Sequence, residues 1–123
     1  MSIEDQPPPK ATDHTPAWTL VIKYVEDNYE GVEQVLKDMR ERDRVGRERY
    51  GTPLTANNGR NQLVDAYQEQ LDAAVYLRAW LDEKGLEPDD IASPDELGDD
   101  VILVIRIFDQ TIEGLIDLRA LIG

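Results

Sequence analysis

Apolar residues recur at helical spacing through most of the chain, and no segment sustains the alternation of a half-buried strand. Thr15-Pro16 joins a capping hydroxyl to the residue favoured in a first helical turn. From there Trp18, Val21, Val25, Val32, Val35, Leu36 and Met39 form one stripe. The pattern predicts a helix A to about Gly46, locally weakened at Gly31. Tyr50-Gly51-Thr52-Pro53 and Asn57-Asn58-Gly59 are turn signals, so Arg47–Gly59 is expected to be a loop. A connection of that length is long between helices, and long ordered loops are more often functional than short ones. Helix B is expected over about Asn61 to Glu83, followed by a break at Gly85 and Pro88. Helix C is expected to start at Ser93-Pro94-Asp95-Glu96 and to run nearly to Gly123. The class is therefore all-α: three helices with a long A–B loop.

Residues 1–14, with Pro7, Pro8 and Pro9, read as a flexible tail, disordered or loosely docked, ahead of one helical domain over 15–123. Tyr67–Arg78 aligns with Phe108–Arg119 as a weak internal repeat, although two amphipathic helices also look alike without one. Three apolar-striped helices make a thin bundle. Assembly into a homodimer or homotetramer would complete the core.

Charge narrows the partners. The chain has 26 acidic residues against 13 basic ones, a net charge of −13. Such a surface repels nucleic acid and anionic membranes, and it needs cations to meet an anionic ligand. No nucleic-acid partner and no membrane role are expected. The absence of cysteine excludes disulfides and thiolate chemistry, and the one histidine, His14, lies in the proline-rich segment. No apolar run approaches the ~18 residues of a membrane span and no leader pattern opens the chain, so a cytoplasmic location is expected.

On helix B, Asp65, Glu69, Asp72 and Tyr76 follow steps of four, three and four, which places them within about 60° on one face. Stacked carboxylates repel one another, and a divalent cation removes the repulsion by taking their oxygens. By spacing alone the stripe reads as a solvated face of a very acidic protein. The rest of the helix is apolar over most of its circumference, which predicts burial on more than one side and a cleft around the carboxylates.

Glu69-Gln-Leu-Asp72-Ala-Ala-Val-Tyr76-Leu77 resembles the ExxD helix of the MazG-like all-α NTP pyrophosphatases. Arg49-Tyr50-Gly51-Thr52-Pro53-Leu54, Asn58-Gly59-Arg60 and Asp65-Ala66-Tyr67-Gln68-Glu69 are similar to a phage-type branch of the same family. The close resemblance spans about a third of the chain. It implies that an acidic pair on one helix and an ExxD pair on the next hold Mg2+, or Mn2+ in its place, against a triphosphate. Glu69 and Asp72 match the ExxD pair, with Asp65 a further metal candidate. The other pair departs from a clean match. Asp38-Met-Arg-Glu41 is preferred, although it points away from the apolar stripe of helix A. Glu30-Gly-Val-Glu33 is a literal ExxE but points mostly outward, and Glu96-Leu-Gly-Asp99 is the second choice, weakened because Glu96 has a capping role. Asp43, inside the apolar stripe, is expected to pair with an arginine rather than to serve a site.

The implied reaction converts a nucleoside triphosphate and water to the monophosphate and pyrophosphate, with water attacking the α-phosphorus. Glu41 is the choice for general base, beside Glu69 as a catalytic residue. Arg47, Arg49 and Arg60 flank the loop and suit phosphate oxygens, or else offset nearby acids. Tyr50 suits stacking on a base, Asn57 or Asn58 suits reading its edge, and Tyr76 completes the substrate-binding set. The branch implies purine deoxynucleotides such as dGTP or dATP, and nucleotide-pool control in a phage, hence host cytoplasm. The alternatives are a non-catalytic helical adaptor and a protein that binds nucleotide without turning it over. An acidic nucleic-acid mimic is a more distant one.

Overall fold

A computed structural model describes residues 6–86 and 97–123. Among these residues the protein is all-helical, with four helices rather than the expected three: α1 (Ala17–Asn28), α2 (Glu33–Tyr50), α3 (Gln62–Glu83) and α4 (Asp99–Ile122). The chain divides into two compact units, one ending at Arg60 and the other beginning at Asn61. No helix among the described residues is long and apolar enough to cross a membrane.

In the first unit, the expected helix A is an αα-hairpin. After Asn28 the backbone turns extended at Tyr29 (φ −133°, ψ 147°), and Gly31 takes the left-handed φ of +69°. A left-handed residue cannot continue a right-handed helix, so Gly31 does more than weaken the element: it reverses the chain. Arg40 on α2 then reaches Glu26 on α1 at 2.9 Å, and the rings of Tyr24 and Tyr29 meet edge to face at 6.3 Å. The start also differs from expectation. Pro16 occupies the cap position, and no side chain caps the helix. The Ala17 amide donates to the Leu54 carbonyl at 2.7 Å, and Pro16 bridges Thr55, so a tertiary partner replaces the local hydroxyl cap.

α2 passes Gly46 and runs four residues beyond it, to Tyr50. Ion pairs one turn apart, Asp43–Arg47 at 2.9 Å and Arg44–Glu48 at 2.6 Å, bridge Gly46 and reach the first residues expected to be loop. The stop is Gly51, left-handed at φ +71°, whose amide donates to the Arg47 carbonyl.

The second unit is the hairpin of α3 and α4. Asn61 caps α3, its side-chain oxygen accepting from the Val64 amide at 3.1 Å, as the expected start at Asn61 requires. At the other end Gly85 is left-handed (φ +81°). The Leu86 amide donates to the Leu81 carbonyl and the Gly85 amide to the Asp82 carbonyl. This 6→1 and 5→2 pairing closes the helix where the expected break at Gly85 falls. Arg78 Nη2 adds a bond to the Leu86 carbonyl at 2.9 Å. Among the described residues, Val64, Ala74 and Leu81 are the buried apolar ones, all on α3. Against α4, the Arg119 guanidinium sits 5.9 Å from the centre of the Tyr67 ring, and Gly114 lies beside the Gln70 side chain. The two helices are therefore antiparallel. The expected start of helix C at Ser93–Glu96 and the Pro88 break lie outside the described residues.

Candidate functional site

On α3, the buried residues and the acidic residues occupy different sides. Val64, Ala74 and Leu81 define the side packed within the hairpin. At about 100° per residue, Asp65, Glu69, Asp72 and Tyr76 centre on the opposite side, roughly 160–200° away. Glu69 and Asp72 are exposed, and Tyr76 is 72 % exposed. Asp65 is half-buried. The expected cleft around the stripe is therefore not present within this unit: α4 packs against one side of α3, and Glu69, Asp72, Val75 and Tyr76 are exposed. Among the described residues, neither Glu69 nor Asp72 has a hydrogen-bond or ion-pair partner.

The other acidic candidates differ. On α2, Glu41 takes the Arg44 guanidinium in a two-point pair, with Nε donating to Oε2 at 3.0 Å. The hydrogen bonds from Arg44 hold the Glu41 carboxyl below its ordinary value, a direction that weakens it as a proton acceptor. Asp38 accepts from the Gln34 side-chain amide at 3.1 Å. Asp38 and Glu41 line a recess with Lys37, Arg40 and Arg44, of which Arg44 pairs with Glu41 and Arg40 with Glu26. Asp43 pairs with Arg47, as expected for an acid inside the helix stripe. On α4, Asp99 stands in the first turn and is exposed. The antiparallel register places it about 20–25 Å along the hairpin from Glu69 and Asp72, so the structure does not bring them together. Its partner in that motif, Glu96, lies outside the described residues.

The loop residues are held by one another and by the N-terminal segment. Thr55 (1 % exposed) and Asn58 (0 %) are the buried polar residues. Asn58 Oδ1 accepts from the Arg60 amide at 3.1 Å, and its carbonyl accepts from the Lys10 amide at 2.9 Å. Its side chain turns inward to shape the loop and is not presented to a base edge. Asn57 adopts φ +58°, and its side-chain nitrogen stands 3.0 Å from His14 Nε2. Arg47 is engaged with Asp43, Arg49 lies 5.4 Å from the centre of the Tyr50 ring, and Arg60 Nη1 donates to the Pro7 carbonyl at 2.7 Å. Lys10, Thr12 and Thr55 were not candidates from sequence. Their roles run through backbone groups and hydroxyl pairs, which leave no spacing to read.

Within each unit, among the described residues, no three of His, Asp and Glu stand close enough to share one metal ion. Glu69 and Asp72 nevertheless suit part of a magnesium site: they lie one helical turn apart, accessible and without a compensating cation. Mg2+ binds through one or two carboxylates while waters and phosphates fill its other positions. No family model matches the chain, and no curated protein or solved structure is significantly similar to it.

Proposed function

We propose that this protein is a Mg2+-dependent nucleoside triphosphate pyrophosphohydrolase, releasing monophosphate and pyrophosphate, centred on Glu69 and Asp72 of α3. The observation that carries the reading is the contrast between accessible acids. Glu41 is neutralised by Arg44, whereas Glu69 and Asp72 share one face of a capped helix with no partner. Two uncompensated carboxylates there repel each other, and a divalent cation is the ligand that relieves the repulsion. The resemblance of Glu69–Leu77 and Arg49–Arg60 to the MazG-like enzymes supplies the reaction.

Glu69 and Asp72 would hold the cation, with Asp65 beside them, and the cation supplies charge neutralisation for the phosphates and an activated water. Tyr76 extends the same face toward the substrate. Arg49, Tyr50 and Arg60 border the loop and bind phosphate and base. The resemblance calls for a second acidic pair, for which Asp38 and Glu41 are the candidates that remain. For Glu41 to accept a proton, the Arg44 guanidinium must first move to another acceptor, such as a phosphate. Purine deoxynucleotides, dGTP and dATP, are the proposed substrates, and control of a nucleotide pool in a phage-infected cytoplasm is the proposed setting.

The same reading calls for assembly. Val75 (65 % exposed) and Leu121 (70 %), with Leu103, Ile107 and Ile116, leave much of the second unit's apolar surface uncovered. A homodimer or homotetramer covers it. The exposed apolar surface equally favours a second reading, a helical adaptor without catalysis.

Phosphorus NMR of the products separates these readings. With each of the common ribo- and deoxyribonucleoside triphosphates and Mg2+ or Mn2+, the enzyme yields monophosphate and pyrophosphate in equal amounts. Release of orthophosphate and diphosphate, or no turnover under either metal, contradicts it.

A further inference from the structure

The segment Gln6–Pro16 lies along the loop Gly51–Arg60 and is attached to it almost entirely by polar bonds. The Lys10 amide donates to the Asn58 carbonyl at 2.9 Å. The Thr12 hydroxyl donates to Thr55 Oγ1 at 2.7 Å and stands 3.4 Å from the Ala56 carbonyl. The Pro7 carbonyl accepts from Arg60 at 2.7 Å. The Lys10 side chain covers the backbone at Gly59, where an added Cβ would meet its Cε at 3.6 Å.

No residue of the segment is buried. An element that buries no residue of its own and is held by a few hydrogen bonds sits toward the low end of local stability and opens without the helices unfolding. The three consecutive prolines, Pro7–Pro9, restrict the released chain, so little entropy is lost when it is seated again. Both strap contacts near the loop's end engage cations, Arg60 directly and Lys10 through its own position, in a chain whose net charge is −13. Seated, the Pro7 carbonyl holds an Arg60 N–H that a phosphate oxygen would otherwise accept more strongly, because a charged acceptor outcompetes a neutral one for guanidinium.

We infer that Gln6–Pro16 is an autoinhibitory strap: it opens as a unit, and a polyphosphate chain displaces the Pro7 carbonyl from Arg60. The inference rests on the reading of Arg60 as a phosphate-binding residue, and its test does not depend on turnover.

Hydrogen exchange read by mass spectrometry on the full chain supplies that test, with inorganic tripolyphosphate as the probe and sodium chloride at equal ionic strength as the control. In Thr12→Val, an isosteric change, exchange in residues 6–16 and 51–60 rises by about fivefold while α1 and α2 keep the wild-type rate. Tripolyphosphate raises exchange in residues 6–16 of the wild type by at least about threefold, and this response is absent in Arg60→Gln. The inference is overturned if tripolyphosphate leaves strap exchange unchanged or slows it. It is also overturned if Thr12→Val leaves the strap unchanged, or speeds α1 and α2 as much as the strap. Absence of nucleotide hydrolysis alongside a strap response would count against the proposed reaction and leave the strap standing.

Discussion

Between the helices of the first unit, Arg40 pairs with Glu26. Along α1 and α2 run further ion pairs: Lys23–Asp27, Arg44 with Glu41 and Glu48, and Arg47–Asp43. Neither helix has a buried residue, and the residues that are buried in this unit, Thr55 and Asn58, are polar. In the second unit the buried residues are Val64, Ala74 and Leu81. One hairpin is organised by charge pairing and hydrogen bonds, the other by apolar packing. Exposed ion pairs contribute little each, whereas a buried leucine contributes several kcal/mol. On α2, Glu41, Asp43 and Glu48 are already matched by arginines, so a cation would compete with them. On α3 the buried residues lie on one side, and Glu69 and Asp72 on the opposite side are exposed.

Trp18 in α1 and Trp80 in α3 report on the two hairpins separately, so the comparison can be broken directly. Leu81→Ala, at a side chain 2 % exposed, is expected to destabilise the Trp80-reported urea transition by about 2–5 kcal/mol. The Trp18-reported transition, followed in a Trp80→Phe background, should hold its midpoint. Equal shifts in both signals would show one cooperative unit instead of two. A smaller effect is expected at Gly51→Ala. No atom lies within 4 Å of the added Cβ, so the cost is that of forcing alanine to φ +71°, about 1 kcal/mol, read at Trp18.

The smallest effect is electrostatic. Arg44→Gln should leave the urea midpoint close to that of the wild type, because the pairs it breaks are exposed. It should also raise the Glu41 carboxyl toward its ordinary value, measured by NMR titration of the carboxyl carbon. The sign follows from linkage: Glu41 is held low when folded, so its contribution is present above the ordinary carboxylate value. That contribution disappears as pH falls through the folded value. A Glu41 titration unchanged by the substitution would remove the claim that Arg44 sets it.

α3 was legible at both ends because its signals are local: the Asn61 cap and the Gly85 reversal act within one turn of the helix they bound. The hairpin break in the first unit was hidden by its own periodicity. Val25 and Val32 are seven positions apart, two helical turns, so the apolar stripe continues in phase across Gly31 although the chain turns back there. Gly46 looked like an end and is interior, since the ion pairs around it carry the helix on to Gly51. At the candidate site, the stripe Asp65–Tyr76 could be read from spacing. The lack of a compensating cation at Glu69 and Asp72 could not, because which arginine meets which acid depends on side-chain reach. The strap was illegible for a similar reason: its main bonds use the Lys10 amide and the Pro7 and Asn58 carbonyls, which every sequence has.

Glu69→Ala tests the central claim most directly, with dGTP and dATP hydrolysis followed beside the wild type in Mg2+. Glu69 is exposed and on the side away from the buried residues, so the substitution should leave the urea transition within about 0.5 kcal/mol of wild type. The account predicts monophosphate and pyrophosphate from the wild type and a rate at least about a hundredfold lower in the variant. Wild-type turnover in Glu69→Ala would contradict the assignment of the α3 face as the metal-holding site.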